Sequence, residues 1–306
     1  MKFHINNPPS SIRERFRRNP LLWGMYGRVR DRFIIPFKVA RELEKFQGFK
    51  LEEPRIFKNV LVETINICNS DCSFCPVNFK VNPRSRALMP MELMEKIACE
   101  LRDLKWSGRI SLYNSGEPLA DPRIVEIVKL FCEKCPEAST RILTNAILLN
   151  KKLLLRLMDA GLTDLKCNAY KDGKSLIKPL KKIIEEDVPE HPGKVVHIQL
   201  REKDAVLLSR GGDAPNKRIA PKDNPNLRRF CDLPFKQLVI LVDGSVPLCC
   251  NDVFNRYMVG DIKEQTLLDV WVKSEELRLA REKLLNSDRR FTGVCARCDY
   301  HGCKGA

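Results

Sequence analysis

The sequence predicts an α/β fold, a partial (β/α)6 barrel built on a parallel sheet and followed by a small cysteine-rich module. Two observations indicate this architecture. From about residue 58, short apolar strands alternate with helices that carry apolar residues at helical spacing. Such alternation is typical of right-handed βαβ units and a parallel sheet. In addition, residues 231–306 hold six of the thirteen cysteines, which indicates a separate module.

Five strands are expected in the barrel region, at 58–65, 108–113, 139–145, 163–170 and 194–200. A further apolar run at 235–242 either supplies a sixth strand or begins the next module. In folds of this kind the working loops follow the carboxyl ends of the strands. Any chemistry is therefore expected in the loop after each strand.

The helices expected between these strands cover residues 91–104, 121–134, 150–161 and 173–186. Pro90 precedes the first helix, and Asp121 is a suitable N-cap for the second, with Pro122 in its first turn. Gly161 closes the third helix, and Pro179 interrupts the fourth.

Three regions follow from this pattern. Residues 1–57 form a basic, partly helical extension, residues 58–230 form the barrel, and residues 231–306 form the small module. The end of the barrel region, 201–230, is rich in Gly, Pro, Asn and charged residues, which is typical of a loop.

The cysteines and the amino terminus indicate the cellular compartment in which the protein is expected. No stretch approaches about twenty uninterrupted apolar residues, so a membrane-spanning helix is not expected. The amino terminus lacks the apolar core and cleavage site of a signal peptide. We therefore expect a cytoplasmic protein, whose thiols are kept reduced. Thirteen cysteines there favour metal binding or catalysis over disulfides, and their odd number disfavours complete pairing.

Three cysteines, Cys68, Cys72 and Cys75, stand after the first strand with the spacing C-x3-C-x2-C. Three thiolates in one short loop can converge on one face of a metal cluster. On a four-iron cluster, three ligands leave one iron open, which is what a catalytic site needs. A zinc site and incidental buried thiols are the alternatives, although zinc usually takes a fourth Cys or His.

The chain resembles the radical S-adenosylmethionine (SAM) superfamily at three successive places. The first is CNSDCSFC (68–75), with an aromatic residue before the last cysteine. The second is NSGEP (114–118), which ends the second strand where that family has a Gly-Glu-Pro-like motif. The third is LTN (143–145) at the end of the third strand, where the family typically has TNG and this chain has Ala146. The resemblance covers residues 58–200.

This resemblance implies a [4Fe–4S] cluster on the three cysteines, with SAM at its open iron. The residues it assigns to the SAM pocket are Phe74, Gly116, Glu117, Pro118, Thr144, Asn168, Gln199 and Arg201. Phe74 is expected beside the adenine, Glu117 at the methionyl amino group and Asn168 at the ribose. An electron from a flavodoxin- or ferredoxin-type donor would cleave SAM to methionine and a 5′-deoxyadenosyl radical, which abstracts hydrogen from a substrate. The protein then positions the reactants and excludes water.

The C-terminal module holds a second set of thiols, namely Cys231, Cys249, Cys295 and Cys298. Four thiolates suffice for a closed [4Fe–4S] site, and a four-cysteine zinc site has the same composition. The runs DGSVPLC (243–249) and GDIKEQTLLDVW (260–271) resemble the SPASM/Twitch modules that follow many radical SAM domains. This resemblance implies one auxiliary cluster, in the shorter Twitch-like form. Cys303 is unassigned and is an alternative to one of the four.

Two further residues are candidates for contact with the substrate. Cys250 adjoins a predicted cluster ligand and is either a buried apolar thiol or a hydrogen-atom donor, as an epimerase requires. Cys167 is a second candidate for that donor. In SRGGD (209–213), Arg210 and Asp213 are candidates for holding a hydroxylated or carboxylated substrate.

The first fifty residues hold twelve Lys or Arg and four Asp or Glu, and so contribute +8 of the formal net charge of +15. Leu22, Tyr26, Val29 and Phe33 recur there at helical spacing. One interpretation is an interfacial helix on an anionic membrane. A second is phosphate or nucleic-acid contact, and a third is a flap that covers the barrel with a solvated basic face. No nucleic-acid-binding motif is present, so no specific nucleic acid is expected.

Three functions fit these observations. The first is a radical SAM enzyme that oxidises or epimerises a small polar molecule of sugar or alcohol type. The second is peptide modification by thioether formation or epimerisation, for which the chain offers little room for a leader-binding domain. The third is a non-catalytic iron–sulfur or zinc protein that binds nucleic acid or membrane. The strand-end motifs disfavour the third.

Overall fold

A computed structural model describes residues 2–6, 19–78, 80, 82–170, 177–185, 194–201 and 206–303. Its main sheet consists of β1 (Lys2–Asn6), β2 (Asn59–Val62), β3 (Arg109–Ser111), β4 (Ser139–Thr144), β5 (Asp164–Tyr170), β6 (Val195–Arg201) and β7 (Gln237–Ile240). The strand order is β1–β6–β5–β4–β3–β2–β7, and every neighbouring pair is parallel. The predicted α/β class is therefore confirmed.

Helices connect the strands and continue beyond them. They are α1 (Pro20–Val29), α2 (Ile35–Glu44), α3 (Met91–Asp103), α4 (Ile124–Lys134), α5 (Lys151–Asp159), α6 (Lys178–Glu185), α7 (Leu267–Lys273), α8 (Glu275–Leu285) and α9 (Gly293–Ala296). A π-helical turn, Arg30–Ile34, joins α1 to α2. An antiparallel hairpin of β8 (Ser245–Pro247) and β9 (Met258–Asp261) follows the main sheet. Within the described residues, no helix is long and apolar enough to cross a membrane.

The strand predictions are accurate where the apolar pattern is strong. All five expected strands are present as β2 to β6, and the run at 235–242 contains β7, which pairs with β2. The sequence did not predict β1, whose residues pair with β6 from Lys2 opposite Val195 to Asn6 opposite Gln199. This edge strand has only two apolar residues, Phe3 and Ile5, so it does not stand out in the sequence.

Two helix starts differ from the prediction. Asp121 does not cap α4, because its carboxylate accepts the Arg123 backbone N–H at 3.0 Å in a turn, and the helix begins at Ile124. Pro179 is the second residue of α6 and does not interrupt it, since the first helical turn needs no N–H from that position. Residues 173–176 and 186 of that predicted helix lie outside the described residues. Gly161 ends α5 with φ +103°, as expected.

The two faces of the main sheet differ in character. The large hydrophobic core lies between the sheet and its helices and includes Val60, Val62 and Cys167. Because successive strand residues point to opposite faces, Leu61 lies on the other side. There it packs with Val239 and Leu241 of the β7 region. We call this second side the inner face, and the candidate site lies along it.

The C-terminal module and the N-terminal helices share a smaller core. Ile35 and Val39 of α2 pack there with residues of the module, namely Phe230, Cys231, Phe235, Leu284 and Cys303. The N-terminal region therefore rests on the module through α2.

Candidate active site

The loop after β2 carries Cys68, Cys72 and Cys75. The Cys75 backbone N–H donates to the Cys72 carbonyl at 3.1 Å, which closes a tight turn. The Asn78 amide donates to the carbonyls of Cys72 at 3.1 Å and Cys75 at 3.0 Å. Ser70 Oγ lies 3.3 Å from Cys72 Sγ. These bonds give the loop a fixed shape around the three sulfurs, with Phe74 half-buried inside it.

The three thiols influence one another electrostatically. Burial raises the pKa of Cys68 to about 12, and the charges of Glu117, Cys75 and Cys72 add to that shift. Burial also raises the pKa of Cys72 and of Cys75, while the Arg210 guanidinium lowers the latter. Only the thiolate form of cysteine ligates metal. Three buried thiolates so close together repel one another, so they require a cationic partner. The donor set therefore fits a metal cluster.

The Gly-Glu-Pro segment lies directly against the cysteine loop. The Glu117 backbone N–H donates to the Ile67 carbonyl at 2.9 Å. A Cβ at Gly116 would stand 2.1 Å from the Ile65 carbonyl oxygen, so only glycine permits this approach. Pro118 is buried and begins a short 3-10 turn. The segment that resembles the family's Gly-Glu-Pro motif thus contacts the chain that leads into the cysteine loop.

The Glu117 carboxylate is 2% exposed and accepts three hydrogen bonds from neighbouring donors. It accepts the Thr144 hydroxyl at 2.5 Å, the Leu119 N–H at 3.0 Å and the Asn145 N–H at 2.8 Å. Burial raises the pKa of Glu117, and these hydrogen bonds oppose the shift. Asn145 also donates to Asn69 Oδ1 at 2.7 Å, which ties the end of β4 to the cysteine loop. Thr144 therefore positions Glu117.

Polar atoms without protein partners line the inner face. Among the described residues, Asn168 Oδ1 and Arg201 Nε are buried and have no hydrogen-bond partner. Asn168 stands opposite Gln199 in the pairing of β5 with β6. Buried polar atoms are normally satisfied, so such orphans indicate a site for a polar ligand. All three residues were predicted for the SAM pocket.

A buried ion pair that the sequence did not reveal supports this site. Glu63 is fully buried and is paired with Arg84 through both carboxylate oxygens. It also accepts the backbone N–H groups of Ser115 at 3.1 Å and Val242 at 3.2 Å. Glu63 thus joins the end of β2 to the segment before Glu117 and to the chain after β7. A lone Glu after an apolar strand gives no signal of this role.

The second set of cysteines lines one cavity. It has a volume of about 20 Å³, and its walls include Cys231, Cys249, Cys295 and Cys298 together with Leu248 and Val294. Cys303 does not line it and packs instead in the small core with Ile35. Within the described residues, no three His, Cys, Asp or Glu side chains stand close enough to share a single metal ion. The four thiols thus face one shared space.

Arg289 supplies positive charge to this cavity. Burial raises the pKa of Cys231 to about 12, and Arg289 lowers the pKa of that thiol and those of Cys295 and Cys298. Its guanidinium donates to three carbonyls, those of Arg229 at 2.8 Å, Tyr300 at 2.6 Å and Phe230 at 2.7 Å. Burial nevertheless raises the pKa of all four thiols, so their thiolates need the positive charge of a bound metal cluster in addition to Arg289. The sequence did not single out this arginine.

One amide also holds the C-x2-C turn of the second set. The Cys298 backbone N–H donates to the Cys295 carbonyl at 3.2 Å. The Asn224 amide donates to the carbonyls of Ala296 at 2.8 Å and Cys298 at 3.0 Å. Asn224 lies in the region predicted to be a loop, and it shapes the ligand turn.

The segment 209–213 joins the two cysteine sites. The Ser209 N–H donates to Asp299 at 2.7 Å, and the Gly211 N–H lowers the pKa of Cys298. Arg210 has a left-handed backbone, φ +51°, and its charge acts on Cys75. Strained backbone of this kind is found preferentially at functional sites. Asp213 is placed differently from its neighbour, in an ion pair with Arg256 at 2.8 Å.

The two candidate hydrogen donors occupy opposite faces of the sheet. Cys250 is half-buried against the inner-face cluster, beside Tyr113. Burial raises the pKa of Tyr113, and Cys250 contributes to the shift. Cys167 is fully buried among the helices and so does not face the site. The structure brings Cys250, but not Cys167, to the inner face.

Comparisons with known proteins agree with this arrangement. A sequence profile of the radical SAM superfamily matches residues 62–170, and an iron–sulfur cluster-binding (SPASM) profile matches residues 231–299. The chain is 26% identical over 245 residues to the S-adenosyl-L-methionine-dependent 2-deoxy-scyllo-inosamine dehydrogenase of Niallia circulans, covering 80% of this chain and 94% of that protein.

Two solved structures show the same fold. The crystal structure of BtrN in complex with AdoMet and 2-DOIA has a TM-score of 0.69 and 25% identity, over 81% of this chain and 95% of that chain. Streptococcus suis SuiB bound to precursor peptide SuiA has a TM-score of 0.50 and 16% identity, over 87% of this chain and 75% of that chain. At that identity the second similarity concerns the fold alone.

The fold and the two cysteine sites thus define a radical SAM enzyme, and this chain belongs to the radical SAM superfamily with a SPASM-type C-terminal module. Its cofactors are SAM, a [4Fe–4S] cluster and an auxiliary iron–sulfur cluster. The non-catalytic alternative is therefore not supported.

Proposed function

We propose that this enzyme oxidises a hydroxyl group of a small polar molecule of the cyclitol or sugar class. One observation carries the proposal. Cys249 lines the buried cysteine cavity, and the next residue, Cys250, lies on the inner face beside Tyr113. The substrate space and the auxiliary-cluster space therefore adjoin. An alcohol oxidation needs this arrangement, because the substrate radical must give up a second electron.

The proposal assigns the cofactors to named residues. Cys68, Cys72 and Cys75 would hold the catalytic cluster, and the thiols of the second cavity would hold the auxiliary cluster. When bound, these groups supply a radical that takes a hydrogen atom from the substrate carbon and an acceptor for one electron. A flavodoxin- or ferredoxin-type donor and a cytoplasmic location are part of the same proposal.

The chain's own residues orient the reactants. Glu117, held by Thr144, accepts the SAM amino group, while the unpartnered Asn168 Oδ1 accepts a hydrogen bond from a bound group and Arg201 Nε donates one. Arg210 is held between the two cysteine sites by its left-handed backbone and binds the substrate's polar groups. Orientation of this kind raises the rate, since the reacting atoms are held in place before the reaction begins.

Similarity over nearly all of a dehydrogenase supports the oxidation. The alignment with the Niallia circulans enzyme spans 245 residues, which is 80% of this chain and 94% of that protein. The related BtrN structure contains AdoMet and 2-DOIA. We infer that the substrate of this chain is also a polyhydroxylated or aminated ring.

The test is a substrate screen with anaerobically reconstituted enzyme. Inositols, amino sugars and 2-deoxy-scyllo-inosamine are compared with apolar alcohols of similar size. We expect a polar ring to stimulate 5′-deoxyadenosine formation, with one ketone formed per SAM cleaved. Arg210→Gln should lower kcat/KM by roughly tenfold or more, since it removes a charged hydrogen bond, while Arg218→Gln serves as the exposed control. SAM cleavage that responds only to peptides would contradict the proposal.

Cys250 favours epimerisation as a second candidate. Its thiol lies on the inner face, where it can return a hydrogen atom to a substrate radical from the side opposite the abstraction. Reaction in deuterated water separates the two functions. An epimerase incorporates solvent deuterium at the inverted carbon and loses this incorporation in Cys250→Ala. A dehydrogenase forms ketone in that variant as well, and Cys99→Ala, a half-buried thiol on α3, is the matched control.

A further inference from the structure

The N-terminal helices expose a continuous apolar stripe. The helical segment 20–44 comprises α1, the π-helical turn and α2. Along it, the exposed apolar residues recur three or four positions apart, at Leu22, Met25, Tyr26, Val29, Phe33 and Phe37. Such spacing places side chains along one side of a helix. Their exposed fractions run from 39% for Tyr26 to 68% for Phe37.

The opposite side of α2, the second half of this helical segment, is attached to the protein. Ile35 and Val39 are buried in the small core of the module. Glu42 forms an ion pair with Lys236, and the Asp31 carbonyl accepts a hydrogen bond from Arg229 at 3.5 Å. Phe33 and Phe37 therefore face outward, because α2 is fixed by its other side.

The exposed hydrophobic surface is concentrated here. Of the seventeen large hydrophobic residues exposed among the described residues, seven lie between positions 21 and 37. Single exposed hydrophobic residues are ordinary, whereas contiguous patches mark interaction sites. The stripe is thus a binding surface.

Positive charge accompanies the stripe. Arg28, Arg32 and Arg41 are exposed along the same helices, and the Arg32 guanidinium lies 5.9 Å from the Phe33 ring. The first fifty residues contain eight more basic than acidic residues. A helix with an apolar side flanked by arginines is typical of proteins that lie in the interface of an anionic bilayer.

We propose that this apolar stripe and its arginines dock the enzyme on an anionic lipid surface. Nucleic acid would match the arginines but offers no partner for exposed Phe33 and Phe37. A second copy of the chain would match the stripe but would bring like charges together. An anionic bilayer satisfies both features. This inference does not depend on the proposed oxidation.

Vesicle cosedimentation of the reconstituted full chain tests the proposal. Vesicles of phosphatidylcholine alone are compared with vesicles containing about one-quarter phosphatidylglycerol. We expect binding to the anionic vesicles only. Phe33→Ser/Phe37→Ser should weaken it by more than roughly tenfold, because two aromatic side chains no longer enter the interface. Arg28→Gln/Arg32→Gln/Arg41→Gln should weaken it by roughly 100-fold.

The matched control changes apolar residues outside the stripe. Leu268 on α7 and Leu279 on α8 are 41% and 43% exposed, and Leu268→Ser/Leu279→Ser should bind vesicles like the wild type. All variants should retain wild-type iron content and SAM cleavage, which shows that they fold. Vesicle binding that survives the Phe33/Phe37 substitutions would overturn the proposal. So would a dimer that these substitutions dissociate in the absence of any vesicle binding.

Discussion

The two cysteine sites share one hydrogen-bonding pattern and differ in how deeply their cysteines are buried. In each, an asparagine amide donates to two carbonyls of the C-x2-C turn, Asn78 in the first site and Asn224 in the second. Cys68 and Cys75 are half-buried, whereas all four cysteines of the second site are buried. The first site has three thiols, and the second has four that line one cavity. The difference indicates that the first performs the chemistry and the second holds a permanent cluster.

The largest expected effect concerns the first cysteine site, which we call the open site because two of its three cysteines are only half-buried. Cys68→Ala/Cys72→Ala/Cys75→Ala should reduce 5′-deoxyadenosine formation to background, because no protein ligand remains for the catalytic cluster. The cysteines of the second site line a separate cavity, so the variant should keep its thermal stability. Chromatographic detection of 5′-deoxyadenosine under anaerobic reduction and a melting curve measure both. Activity above background would mean that the cluster is bound elsewhere.

The next effect concerns the ion pair that supports the open site. Arg84→Met leaves Glu63 buried without its charged partner, and breaking such a pair destabilises a protein by about 3–5 kcal/mol. Denaturant unfolding of the variant measures this change in the free energy of unfolding. Arg102→Met is the control, since the Arg102–Asp103 pair is exposed and screened by water. Equal effects of the two substitutions would contradict the role assigned to Glu63.

The two asparagines offer a symmetric test. Asn78→Ala and Asn224→Ala each remove two hydrogen bonds to carbonyls, a loss of about 1–3 kcal/mol. We expect Asn224→Ala mainly to lower the melting temperature, since its turn belongs to the enclosed site. Asn78→Ala should mainly lower SAM cleavage, because it loosens the open loop. If both variants lose activity and stability in the same proportion, the two sites do not differ in role.

The smallest effect concerns the attachment of α2 to the module. Burial raises the pKa of Glu42, but hydrogen bonds from Lys236 and Lys45 outweigh burial and hold that pKa below its ordinary value. The folded pKa is depressed, so the stabilisation is present above the unfolded pKa and is lost as the pH falls through the folded pKa. Lys236→Met should therefore lower the free energy of unfolding by about 1 kcal/mol at neutral pH.

That difference between Lys236→Met and the wild type should shrink in acid. Denaturant unfolding at neutral and acid pH measures it. Lys263→Met, which removes an exposed pair with Asp261, should show no such dependence. A deficit that stays constant as the pH falls would exclude the ion pair as its cause.

The barrel strands could be predicted because each is a short apolar run followed by a turn or a motif. The start of α4 could not, since Asp121 forms a turn with Arg123 where the sequence suggested a helix cap. Strand β1 also escaped prediction. Its five residues acquire a partner only when β6 lies beside them.

The site was predicted where ligand types cluster in sequence and was missed where distant residues meet. Cys68, Glu117 and Cys249 belong to recognisable motifs. Arg289 and Glu63 do not, because each acts through carbonyls or N–H groups from several segments. The position of Cys303 outside the cavity likewise depends on tertiary packing, which spacing cannot reveal.

The iron content of the Cys68→Ala/Cys72→Ala/Cys75→Ala variant tests the central claim most directly. Two separate [4Fe–4S] sites predict about eight irons per chain in the wild type and about four in the variant, with a cluster that remains reducible. Loss of all iron from the variant, or retention of about eight, would contradict two independent sites.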